Sequence, residues 1–222
     1  MMTGRSRHSG VSTASGTVSR MRHKCILVGG VSKAGKSYFA AQLVRQYSFC
    51  RVPGDSLVMA FQETFPQLGI AHDPLSGKTP AEQYRATCAV LGPFLVSYMN
   101  RLEWEGSKFS YVLDSFHVWP GDLHGIDEQK TRALFFGYPN ADPAQKIQRT
   151  REYELSEYGG LYCSLARAEE QRAQGICAEL ISLSRKLRAA CEESSFTFVD
   201  TSHNFQDAIS QAVKMAGCDM TA

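Results

Sequence analysis

Gly30-Val31-Ser32-Lys33-Ala34-Gly35-Lys36-Ser37 has the spacing G-x-x-x-x-G-K-S, and each fixed position has a chemical reason. Glycines let the backbone curl so that successive amide N–H groups point at a phosphate with no Cβ in the way. Those donors and the positive end of a following helix form an anion site. The Lys36 cation can reach the outer phosphates of a nucleoside triphosphate, and the Ser37 hydroxyl is placed to ligate Mg²⁺. Gly30, Val31, Ser32, Lys33, Ala34, Gly35, Lys36 and Ser37 are the expected nucleotide-binding residues.

Two acids follow at places where this chemistry needs them. Asp114 closes the apolar run Phe109-Ser110-Tyr111-Val112-Leu113, so its carboxylate is expected to hold Mg²⁺ together with Ser37. Asp55 follows Pro53-Gly54 at the end of a short extended segment. Open α/β sheets gather ligand-binding residues there; the other reading of Asp55 is an N-cap for a helix over Ser56–Phe65. His117 is a candidate for a substrate or phosphate contact. Lys146, Arg149 and Arg151 cluster after Asp142-Pro143, where cations could close over a transferring phosphoryl group. Arg85 and Arg101 are read as lying on a solvated helix face.

The elements that must carry these residues alternate. Strands are expected over 25–29, 49–52, 109–114, 132–138 and 196–200. Helices are expected over 36–47 and 56–65, from Pro80 towards Trp104, from 143 onward, over 161–191 and over the final segment. Phe39, Ala40, Leu43, Val44 and Tyr47 form one helical face, and Ile176, Leu180, Leu183, Leu187 and Ala190 another, both with core-packing periods. Thr79-Pro80-Ala81-Glu82 has the form of a helix start with Thr79 as N-cap. Gly92-Pro93 is expected to bend or interrupt the helix that follows.

With 43% hydrophobic and 21% charged residues, the 222-residue chain can bury one substantial core. Residues 1–22 hold few apolar side chains, so a disordered tail is expected there and a folded domain over 23–218. Residues 1–54 carry nine Lys/Arg and no acid. These cations are scattered without interleaved aromatics, which argues against a nucleic-acid partner. No apolar run approaches the ~20 residues that span a bilayer, and no membrane partner is expected. The seven cysteines include no C-x-x-C pair, which points to reduced thiols and a cytoplasmic setting.

In order along residues 24–216, G-G-V-S-K-A-G-K-S, G-D-S, V-L-D-S-F-H-V-W-P, F-F-G-Y-P, K-I-Q-R-T-R and F-V-D-T-S resemble the P-loop small-molecule and nucleoside kinases of the adenylate-kinase-like group. The resemblance implies an α/β, three-layer P-loop NTPase fold with a five-stranded parallel sheet in the order 2-3-1-4-5. It implies an acceptor-binding helical region over 56–105 and a lid-like segment over 140–160. It also implies ATP and Mg²⁺ as cofactors and a small-molecule hydroxyl as acceptor. Asp55 matches the acid that takes the acceptor's proton, and Thr201 and Ser202 fall in the loop that holds adenine. Lys36, Asp55, Arg149 and Arg151 are the expected catalytic set. The alternative is a nucleotide-binding ATPase or regulatory switch with no such acceptor; the N-K-x-D signature of guanine-specific switches is absent from the sequence.

Overall fold

Cys25–Gly30 (β1) is apolar at every position before its glycines and buried at all six, as a strand must be when helices cover both faces of a parallel sheet. A computed structural model of the chain describes residues 24–70, 80–102, 109–158 and 168–217. The expected tail over 1–22, the cap at Thr79 and the helical stretch 161–167 lie outside the described residues. Four further strands, Cys50–Pro53 (β2), Tyr111–Asp114 (β3), Thr131–Gly137 (β4) and Thr197–Asp200 (β5), complete one sheet in the order β2-β3-β1-β4-β5. All pairings are parallel, as the resemblance implied.

Helices Lys36–Tyr47 (α1), Gly54–Thr64 (α2), Pro80–Leu102 (α3), Pro143–Tyr158 (α4), Glu170–Glu193 (α5) and Phe205–Met215 (α6) flank the sheet. α1 buries Phe39, Ala40 and Leu43, and α6 buries Ala208, Ile209, Ala212 and Val213. These apolar faces meet the sheet residues in one core.

Some boundaries differ from the sequence expectation because register decides them. Phe109 is 59% exposed, and the ladder starts where Cys50 and Lys24 meet Tyr111 and Ser110. Of the expected bend or interruption at Gly92-Pro93, the interruption does not occur: α3 continues through Pro93. Proline removes one hydrogen bond from the helix, and tertiary packing holds the element together. A Cβ on Gly92 would lie 2.6 Å from Asp122 Cβ, so the glycine lets α3 lie against the turn at Pro120–Asp122.

Candidate active site

β1 delivers the chain into the phosphate-binding loop at Gly30, whose φ of 129° and closeness to β4 admit no side chain; a Cβ would sit 2.1 Å from the Phe136 carbonyl oxygen. The Val31 N–H donates to that carbonyl at 3.0 Å, and α1 opens at Lys36. Lys36 is 8% exposed, and its Nζ donates to the Val31 carbonyl at 2.8 Å across the loop. Burial pushes its pKa down to about 8, while the carboxylates of Asp55 and Asp114 pull it back up. The ammonium is therefore easier to deprotonate than an ordinary lysine but still mostly charged at neutral pH.

Ser37 Oγ donates to Asp114 Oδ2 at 2.8 Å, which joins the helix start to the end of β3. A hydroxyl and a carboxylate in contact beside an amide-lined loop are the donor set that a magnesium-bound triphosphate takes. Asp114 also has a partner the sequence did not disclose. Arg51 of β2 grips both its oxygens, Nε to Oδ1 at 2.8 Å and Nη2 to Oδ2 at 2.9 Å. The carboxylate is 5% exposed and the guanidinium 39%. Adjacency of β2 and β3 makes the pair, so no local signal around Arg51 announced it.

Asp55 stands in the first turn of α2, with Pro53 in the N-cap position and no side-chain cap; the N-cap reading is therefore corrected. Its Oδ1 instead accepts the Phe116 N–H at 2.9 Å and the Ser115 hydroxyl at 3.0 Å. Ser115 Oγ accepts the His117 N–H at 3.0 Å, and His117 Nδ1 lies 3.6 Å from the same Oδ1. Desolvation would raise the Asp55 pKa, but the bonds from His117 and the Phe116 N–H and the Lys36 charge outweigh it and bring it to about 2. The Asp55 side chain remains 61% exposed, at the cleft.

α3 braces the segment that holds Asp55. The Tyr84 hydroxyl donates to the Val118 carbonyl at 3.2 Å, and its ring packs 4.4 Å from that of Phe116. Arg85 is not the solvated residue the sequence led us to expect: it pairs with Asp122 at 2.7 Å and lies 4.5 Å over the Trp119 ring. Arg101 is exposed.

The P-loop and Asp55 open onto one cleft of about 820 Å³. Its far side is the loop after β5 and one flank of α4. Thr201 Oγ1 is within 3.2 Å of the Ala34 carbonyl and 3.1 Å of the Gly137 carbonyl. Ser202 Oγ donates to Asp200 and accepts the Asn140 N–H at 3.0 Å. Both hydroxyls thus fasten the loop to its neighbours while their residues line the cleft. Arg149 lines it too, with Nη1 3.4 Å from the His203 carbonyl. Arg151 points elsewhere, donating to Glu170 at 2.7 Å and to the Ala168 carbonyl at 3.0 Å. It ties α4 to α5 and is not among the residues that line the cleft. The helical phase explains the split: residues two apart are turned by about 200° around an α-helix.

Among solved structures, shikimate kinase from Acinetobacter baumannii, crystallised in complex with shikimate, matches with a TM-score of 0.50 and 14% identity over 90% of this chain and 96% of that one. The chain has a P-loop small-molecule kinase fold. A gluconokinase from Sinorhizobium meliloti 1021 matches with a TM-score of 0.48 and 15% identity, covering 89% of this chain and 93% of that one. A sugar kinase from Janibacter sp. HTCC2649 matches at 0.44 and 13%, covering 87% and 94%. No protein-family model and no curated protein sequence matches the chain.

Proposed function

We propose that the protein transfers the γ-phosphoryl group of ATP, with Mg²⁺, to a hydroxyl group of a small molecule such as a nucleoside, a sugar or a related alcohol. The observation that carries this reading is the meeting of Lys36 and Asp55 on one cleft, with the Ser37–Asp114 contact beside them. When bound, MgATP supplies an electrophilic phosphorus and a leaving group.

The chain's own groups do the positioning. The P-loop amides and Lys36 hold phosphate oxygens, and the phosphate charge favours the ammonium form of Lys36 against the burial that depresses its pKa. Ser37 and Asp114 hold the metal, with Arg51 fixing the Asp114 carboxylate. Asp55 is pinned through Oδ1, and it orients the acceptor hydroxyl from the cleft wall. With a pKa near 2 it is a weak base, so it takes the proton only as the new O–P bond forms. That timing suits a loose transition state, in which the nucleophile is hardly deprotonated before transfer. Arg149 adds positive charge from α4. Of the expected acceptor region 56–105 and lid 140–160, the described parts, α2 with α3 and α4, form the acceptor side and a lid over the donor side. Water exclusion on closure strengthens every one of these charge interactions.

The reading is tested by ADP release across a panel of nucleosides, sugars, sugar acids and other alcohols, with Lys36→Ala as control. Acceptor-dependent release that Lys36→Ala abolishes supports it. Tight ATP binding with no acceptor-dependent release from any member overturns it in favour of a nucleotide-binding ATPase or regulator.

A further inference from the structure

We propose that Glu154 and Lys146 of α4 are positioning residues that hold the Ser32–Lys33 segment of the P-loop in the shape a polyphosphate needs. The inference rests on the reading of the cleft as an ATP site. Lys33 has a φ of 62°, in the left-handed region that a non-glycine residue keeps only where its surroundings hold it.

Three contacts hold it from one direction. The Lys33 ammonium forms an ion pair with Glu154, whose side chain is 2% exposed. Lys146 Nζ donates to the Lys33 carbonyl at 2.7 Å. The Tyr138 hydroxyl donates to the Ser32 carbonyl at 3.0 Å, and the Lys146 ammonium lies 4.1 Å from the centroid of the same tyrosine ring. The contacts therefore form one cluster spanning the end of β4, α4 and the loop.

Peptide planarity converts this clamp into a site. No described peptide bond is cis, and in a trans peptide the C=O and the next N–H point in opposite directions. Drawing the Ser32 and Lys33 carbonyls towards Tyr138 and Lys146 turns the N–H groups of Lys33 and Ala34 the other way. Those are amides a phosphate-binding loop must present. A buried ion pair adds little stability over an apolar pair of equal size, so what Lys33–Glu154 contributes is geometry. It also links α4 to the loop, so that a movement of this helix would be felt by the phosphate donors.

The test is binding of a ribose-labelled fluorescent ATP analogue with Mg²⁺ to the full chain, read by anisotropy, with thermal melting in parallel. Glu154→Gln is expected to weaken binding about tenfold, the size of losing a hydrogen bond to a charged group. If Lys33 only lent its charge to the phosphates, removing the Glu154 charge would free it and binding would tighten, which overturns the proposal. A variant that melts lower but binds as wild type also overturns it, since Glu154 would then be structural alone. Lys146→Met, on a partly exposed residue, gives a second reading, and a loss of about tenfold is expected there too. Both variants act on the same residue, Lys33, one through its side chain and one through its carbonyl, so the double variant is expected to lose little more than the weaker single one; fully multiplicative losses overturn the clamp. Wild-type protein that does not bind the probe overturns the ATP reading and the clamp with it. Wild type that binds, beside variants that bind equally well, overturns the clamp alone.

Discussion

The backbone N–H of Phe116 donates to Asp55 Oδ1 at 2.9 Å, and that bond brings the first turn of α2 onto the end of β3. It also fixes which oxygen of the carboxylate is spent on structure. Replacing the acid with an amide of the same shape is expected to damage turnover more than nucleotide binding. Asp55→Asn should lower kcat by about 10²–10⁴-fold, the span of a lost proton acceptor, while the nucleotide Kd stays near wild type. Steady-state kinetics beside direct nucleotide binding checks this; an Asp55→Asn enzyme with wild-type kcat would sink the assignment.

The same contacts set a pH expectation. The Asp55 pKa is depressed from 3.8 to about 2 in the folded protein. Its stabilising contribution is therefore present above the unfolded value and lost only as pH falls through the folded one. Between those limits and neutrality the carboxylate stays ionised, so a kcat profile should show no acidic limb owed to Asp55 in the range of an ordinary carboxylate. A limb near pH 4–5 that disappears in Asp55→Asn would contradict the depressed value, since ordinary aspartates titrate at about 3.9.

Lys36 is shifted in the other chemical sense. A lysine lowered from 10.5 to about 8 holds its proton less tightly folded than unfolded, so it costs stability below the folded value. That cost fades as pH rises towards the unfolded one. Phosphate oxygens favour the ammonium form, so ATP binding at about pH 9 should take up more protons than binding at about pH 7.5. Calorimetry in buffers of different ionisation enthalpy counts these protons. Lys146 is also lowered to about 8, mainly by burial, so the uptake should persist in Lys146→Met. Equal proton counts at the two pH values would refute the assignment.

Arg51 covers a nearly buried carboxylate. Arg51→Met should cost about 3 kcal/mol of stability, the low end for stranding one member of a buried pair, because the arginine is itself partly exposed. Mg²⁺ with nucleotide should restore part of the loss, since the metal meets the uncovered charge. Thermal melts with and without MgATP decide it. A loss that MgATP leaves untouched would separate Asp114 from the metal.

Arg149 and Arg151 are close in sequence and opposite in consequence. Arg151 engages Glu170, which is 59% exposed, and such surface pairs are worth about 0–1 kcal/mol. Arg151→Met should leave kcat within about threefold of wild type, since no transition-state contact is lost. Arg149→Met should lower kcat/KM for ATP. The reverse ranking would return Arg151 to the site.

Much of the candidate site was legible because its signals are local. Eight consecutive residues, Gly30 to Ser37, specify a loop geometry through backbone freedom and side-chain type alone. Asp55 and Asp114 were legible as acids ending extended segments, since parallel strands all deliver their last residues to one sheet edge. Even the turning away of Arg151 follows from helical phase. The continuity of α3 through Pro93 was not legible, because the local rule against proline takes no account of the packing of the rest of the fold.

By itself the sequence determined the alternation of strands and helices, the phosphate-binding loop and the acids that face it. These depend on periodicity and on residue types within a few positions. Only the tertiary structure decided which groups meet. It set Arg51 on Asp114 because β2 lies beside β3, and Asp55 on the Phe116 amide because α2 starts at that edge. It placed Tyr138, Lys146 and Glu154 around Ser32 and Lys33. Hydrogen bonds and ion pairs act over about 3 Å, and their partners here lie tens to more than a hundred residues apart. A contact of that kind exists only once the sheet order and the helix phases have been chosen.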